Sequence, residues 1–128
     1  MQLTIKNRIN LDDQTELIKQ VYTVEVTEKN HQLYLIYTNE ENEKVIIKCS
    51  KNEMLMTRYS LPKSIMRFHR DSPALVTIPT PLGLQQLVTV TQKFYTDFEK
   101  QMIAIDYQLR QLETEALFAE YQLELSWQ

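Results

Sequence analysis

At 128 residues the chain has the size of a single domain, and 43% hydrophobic with 24% charged residues is an ordinary globular composition. A formal net charge of -3 argues against the cationic surface that nucleic-acid binding requires, and one cysteine excludes an intrachain disulfide or a two-cysteine metal site. No segment reaches the apolar length of a membrane-spanning helix and residues 1–14 lack the apolar core of a signal peptide, so the expectation is one cytoplasmic domain over residues 1–128, with neither nucleic acid nor membrane as partner.

Taken in order, the apolar residues fall mostly at even spacing, which on a strand places them on one face. Leu3, Ile5, Ile9 and Leu11 predict a first strand, ended by Asp12 and Asp13. Ile18, Tyr22, Val24 and Val26 share a parity and predict a second over residues 17–27. Lys29, Asn30 and His31 predict a turn, since asparagine tolerates positive φ where glycine is missing. Residues 32–38, QLYLIYT, are apolar on both faces and predict a strand covered on two sides, and residues 39–42 the next turn. Val45, Ile47 and Cys49 alternate through a fourth strand, in which Cys49 reads as a small buried hydrophobe. Met54, Met56 and Arg58 share one face of a fifth, paired with the fourth in a hairpin. Beyond Pro62, a sixth strand over residues 65–70 puts Met66 and Phe68 on one side and Arg67 and His69 on the other.

Asp71, Ser72 and Pro73 predict a turn before a short strand at residues 74–78. Pro79 and Pro81 cannot donate to a ladder, so residues 79–83 predict a corner, with Gly83, the only glycine, supplying a backbone geometry other residues resist. A strand over residues 84–91 follows. From Phe94 onward two patterns compete. Phe94, Phe98, Met102, Ile105 and Leu109 stand three or four apart, as on an amphipathic helix, whereas Ile103, Ile105, Tyr107 and Leu109, and then Leu117 to Trp127, alternate as strands do. Periodicity leaves both readings open.

The residues carry little chemistry. His31 and His69 lack metal-site spacing, no serine sits in a nucleophile elbow, and acidic pairs such as Glu40 with Glu41 fall in turns and read as solvated. The expectation is therefore no catalytic residue, no metal and no cofactor. Arg58 is the side chain of interest: on the parity of Met54 and Met56 it faces the interior, where a guanidinium needs a carboxylate, carbonyls or an anionic ligand. It reads either as an arginine at a barrel mouth paired with a strand-end acid, or as a ligand contact.

Arg58 in MLMTRYS, Phe68 in IMRFHR, TPLG at residues 80–83, Thr91 in VTVT, and YQL at 107–109 followed by LELSW resemble, in order and spacing, the YwiB-like family of uncharacterised bacterial proteins. The resemblance spans nearly the whole chain through short motifs, none catalytic. It implies an all-β fold, a closed or nearly closed antiparallel barrel of about eight or more strands like that of calycins and lipocalins. In that reading residues 100–109 and 117–127 form the closing hairpin, with room for a short helix at one end. Two departures bear on turn geometry: Ser60 stands where a glycine is expected, and residues 110–114 lack the glycine or asparagine expected in the last hairpin. The resemblance marks Arg58, Phe68, Thr80, Thr91 and Tyr107, with Arg67 beside Phe68, as candidate ligand-binding or barrel-mouth positions. The function it suggests is a non-enzymatic barrel binding a small apolar or amphipathic molecule. The alternative is a solid barrel acting as a protein interaction module, its partner another protein or a second copy, through the two-sided apolar strand at residues 32–38.

Overall fold

The computed structural model describes residues 1–128, apart from the side chain of Thr80. It is built entirely of strands: β1 (Gln2–Leu11), β2 (Gln14–Thr23), β3 (Glu25–Lys29), β4 (Gln32–Thr38), β5 (Lys44–Cys49), β6 (Glu53–Arg58), β7 (Ser64–His69), β8 (Ala74–Thr80), β9 (Gly83–Asp97), β10 (Met102–Gln111) and β11 (Leu117–Trp127). There is no helix, so the helical spacing after Phe94 is overruled and the short helix allowed for at one end is absent. The expected strand at residues 17–27 is also corrected: it is two strands, β2 and β3, divided at Val24.

All neighbouring strands pair antiparallel, in the order β2-β1-β11-β10-β9-β8-β7-β6-β5-β4-β3. The two ends of that order are consecutive in sequence. β2 pairs with β1, the chain runs on in the same direction through buried Val24, whose N–H donates to the Met1 carbonyl at 2.9 Å, and β3 pairs with β4. One continuous stretch of chain thus joins the first edge of the sheet to the last and makes a nearly closed barrel, which removes most of the exposed edge an open sheet would present.

The backbone ladder is interrupted at two places around the wall. Between β2 and β4 the contacts are made by side chains. Between β7 and β8 a single pair, Ile65 with Thr77, joins the strands. There the hydroxyl of fully buried Thr89 on β9 donates to the Arg67 carbonyl at 2.6 Å, with the Ala74 carbonyl at 3.4 Å, a side chain standing in for missing ladder bonds. These interruptions divide the barrel into a short wall, β3 to β7, of five to seven residues per strand, and a tall wall that includes β1, β2, β9, β10 and β11, of ten to fifteen. A ten-residue strand outreaches a six-residue one by roughly 13 Å when both run straight.

The core follows from strand alternation. Leu3 and Ile5, Leu33 and Leu35, Val45 and Ile47, Ile103 and Ile105, and Leu123 and Leu125 point inward and are buried, filling one end of the barrel with side chains. At that closed end Trp127 is buried, and Arg70 lies over the Phe94 ring at 5.3 Å while its Nε donates to the Lys51 carbonyl. Strand β4 is apolar on both faces for the expected reason in part: Leu33, Leu35 and Tyr37 are buried inside, and outward Ile36 is half-buried in a row with Ile46, Thr57 and Ile65 across β5, β6 and β7. A second cluster, Val76, Leu87 and Leu109, lies in the tall wall and meets the first through Met66 and Tyr121.

Candidate functional site

At the other end, where turns 12–13, 39–43, 59–63, 81–82 and 112–116 gather, the barrel is open. Its mouth holds a cavity of about 380 Å³ that runs from one interruption of the wall to the other. The floor is apolar, from Val45, Met56, Met66 and Ile78; Gln20, Tyr22, Tyr37, Glu40, Arg58 and Ser64 supply polar groups around it.

The rim is organised by Asn39. Its Oδ1 accepts from the N–H groups of Glu41 at 3.0 Å and Glu43 at 2.9 Å, the side-chain turn that asparagine makes with its own following backbone, and its Nδ2 donates to Glu43 Oε1 at 3.1 Å. This loop aims its carboxylates in two directions. Glu43 reaches β6, where the Nε of Arg58 stands 3.5 Å from its Oε1. Glu40 reaches across the first interruption to β2: the Tyr22 hydroxyl donates to it at 2.5 Å and the Gln20 amide at 3.2 Å. Tyr22 also stacks on Tyr37 of β4 at 4.5 Å. The seam between β2 and β4 is therefore closed by one carboxylate and two rings.

The electrostatics follow. Accepting from Tyr22 holds the Glu40 carboxyl below the usual carboxylate range. Burial, then the nearby Glu40 carboxylate, pushes the Tyr37 phenol up to about 12 against a smaller opposing effect of Arg58, and burial with the Glu40 bond raises Tyr22 further. The mouth thus presents charge at Glu40, Glu43 and Arg58 and neutral phenols between them at ordinary pH. Among the described residues, no three of His, Cys, Asp and Glu come together as metal ligands would.

Of the marked residues whose side chains are described, Arg58 alone lines this cavity, half-exposed and paired to a strand-end acid. Phe68, Thr91 and Tyr107 come together deeper inside. Tyr107 is stacked on Tyr121 at 4.7 Å with Phe68 edge-on at 4.5 Å, Thr91 lies opposite it in the β9–β10 ladder, and burial raises its phenol pKa. The Thr91 hydroxyl and the Asn7 carbonyl oxygen are buried without a hydrogen-bond partner among the described residues. Arg67 is on the outer wall, exposed and 3.4 Å from Glu53. Thr80 falls on a side chain outside those described. The residues the sequence reading passed over are Asn39, Glu40, Glu43, Tyr22 and Tyr37; the signal available for them was an asparagine leading a run of acids.

Such a structure defines a class: a nearly closed, eleven-stranded antiparallel barrel, filled at one end and open at the other. Residues 3–125 match the family described as Domain of unknown function (DUF1934), and the chain belongs to that family. Its fold is similar to that in the crystal structure of the ywiB protein from Bacillus subtilis, with a TM-score of 0.77 and 22% sequence identity over 98% of this chain and 89% of that one. The resemblance carried by Arg58, Phe68, TPLG, Thr91 and the last two strands stands. No match was found among curated proteins. No helix among the described residues is long and apolar enough to cross a membrane.

Proposed function

We propose that the protein is a non-enzymatic, calycin-like binding protein of the cytoplasm that takes a small amphipathic molecule at the barrel mouth, without a cofactor. The observation that carries this reading is the cavity of about 380 Å³ with an apolar floor of Val45, Met56, Met66 and Ile78 under a polar rim, the composition typical of small-molecule sites and near the lower end of their size range. An apolar portion of the ligand rests on the two methionines, whose flexible thioethers adapt to its shape. Its polar end lies at Arg58, whose Nε stands at a long 3.5 Å from Glu43. A lone, buried thiol at Cys49, with burial raising its pKa to about 12, suits a reducing compartment and supplies no nucleophile.

Native mass spectrometry of the purified protein, with a thermal-shift series of fatty acids and fatty alcohols of matched chain length, tests the reading. A retained mass or a ligand-dependent rise in melting temperature that Arg58→Gln reduces is expected. Absence of any bound mass together with no shift from any amphiphile would sink it.

A further inference from the structure

Exposed apolar side chains are concentrated at one end of this barrel. The open-end turns and the strand ends beside them carry eight exposed apolar side chains, among them Leu11, Leu61, Leu82, Leu84, Leu112 and Phe118, and Leu61 and Leu82 are fully exposed. At the closed end, turns 30–31, 50–52, 70–73 and 98–101 hold one large apolar residue, Phe98, which is packed against the core, and the strand ends beside them add only exposed Met1, Val21 and Leu75. Single exposed apolar side chains are ordinary, but eight at one end of a small domain mark a contact surface.

Charge divides the same way. The open-end turns contain seven carboxylates, Asp12, Asp13, Glu40, Glu41, Glu43, Glu113 and Glu115, against one cation, Lys63, a formal -6. The closed-end turns contain Lys51, Arg70 and Lys100 against Asp71 and Glu99, a formal +1 with histidine neutral. Adding Lys44, Arg58 and Arg110 at the neighbouring strand ends brings the open end to -3, the whole formal charge of the molecule.

An acidic apolar surface selects its partner by sign. A second copy set end to end would bring like charges together, and anionic lipid or nucleic acid would be repelled. We propose that the open end is a docking surface for a stretch of another polypeptide that is both apolar and basic. The leucines and Phe118 bury against its apolar side chains, and the ring of carboxylates meets its lysines or arginines and excludes other partners. This surface stands independently of the cavity it surrounds.

Fluorescence anisotropy with labelled synthetic peptides of one amphipathic pattern tests it: leucine with lysine, leucine with glutamate, and serine with lysine. The leucine–lysine peptide is expected to bind and the other two are not. The Leu61→Ser, Leu84→Ser double variant, with an unchanged melting temperature, is expected to weaken that binding at least about tenfold. Tyr95→Ser, an exposed aromatic on the barrel wall, is expected to leave it unchanged. The proposal is overturned by failure of the leucine–lysine peptide to bind, or by equally tight binding of the serine–lysine peptide, which would reduce the surface to charge alone. Adsorption to phosphatidylcholine–phosphatidylglycerol vesicles that the double variant abolishes would likewise overturn it. So would a dimer in sedimentation that the double variant dissolves.

Discussion

Thr89 holds the weakest backbone-paired join in the wall. A fully buried threonine is tolerated in an apolar interior only when its hydroxyl is satisfied, and here the Arg67 carbonyl satisfies it at 2.6 Å where β7 and β8 part. Thr89→Val keeps the shape and removes the donor, leaving that carbonyl short of a partner, at a cost of roughly 1–2 kcal/mol. Hydrogen exchange separates this from a packing effect: amides of β7 and β8 are expected to exchange faster in Thr89→Val, while Thr89→Ser, which keeps the hydroxyl, leaves their protection near that of the parent. Equal exchange in the two variants would show that the bond does not hold the join. In the sequence Thr89 was one of several threonines in a β-branched run, and nothing local distinguished the one whose neighbour across the wall lacks a ladder. Arg58 was more legible, because its parity with Met54 and Met56 fixed its side of the wall before any partner was known.

At the level of elements, two β-bulges account for what the periodicity concealed. The β9–β10 register shifts between Asp106 and Tyr107, with Asp106 opposite Lys93 and Tyr107 opposite Thr91, so Gln92 is the extra residue. The inward positions therefore run Leu87, Thr89, Thr91 and then Phe94, a step of three that imitates a helix. A second shift sets Leu109 opposite Ala119 and Arg110 opposite Leu117, which leaves Phe118 over. Strands of even parity, such as β1 and β5, could be read directly; a bulge is a property of the pair and has no signature in one strand. Turns were partly legible. Asn30 takes the positive φ expected of it, His31 beside it and Asn42 in the next turn take one too, and Gly83 takes φ 112. The last hairpin, lacking glycine and asparagine, places Glu115 at φ 60. Its N–H donates to the Gln111 carbonyl and its own carbonyl accepts from Arg110, both through backbone atoms. Glu115→Gly keeps those bonds and relieves the left-handed strain of about 1–2 kcal/mol, less the entropy glycine adds to the unfolded chain. A rise in the urea midpoint equivalent to about 0.5–1 kcal/mol is expected, and a fall would mean that the Glu115 side chain matters to the turn.

For the molecule as a whole, stability in alkali depends on groups the barrel keeps protonated. Burial raises the Cys49 thiol from its ordinary 9.0 to about 12 and the Tyr37 phenol from 10.0 to about 12, and shifts Tyr107 in the same direction. A group whose pKa is higher in the fold than in the unfolded chain contributes stability that is whole below its unfolded pKa and is lost as pH climbs toward the folded value. Urea midpoints are thus expected to fall from about pH 9 upward, each such group adding about 1.4 kcal/mol per pH unit to the slope. Cys49→Ala removes the first of them and should delay the onset to near pH 10; an unchanged curve would rule out the thiol as its source. The closure of the wall has a kinetic side as well. β1 lies between β2 and β11, so the first strand of this barrel to be made has a neighbour on one edge and none on the other until Leu117–Trp127 has been translated. The short wall, β3 to β7, can pair hairpin by hairpin as it emerges, but Leu3 and Ile5 must wait for Leu125 and Trp127, their partners in the ladder and more than a hundred residues away. Completion of this barrel therefore waits until β11 has been made, and until then the nascent chain carries an unpaired, half-apolar β1 edge.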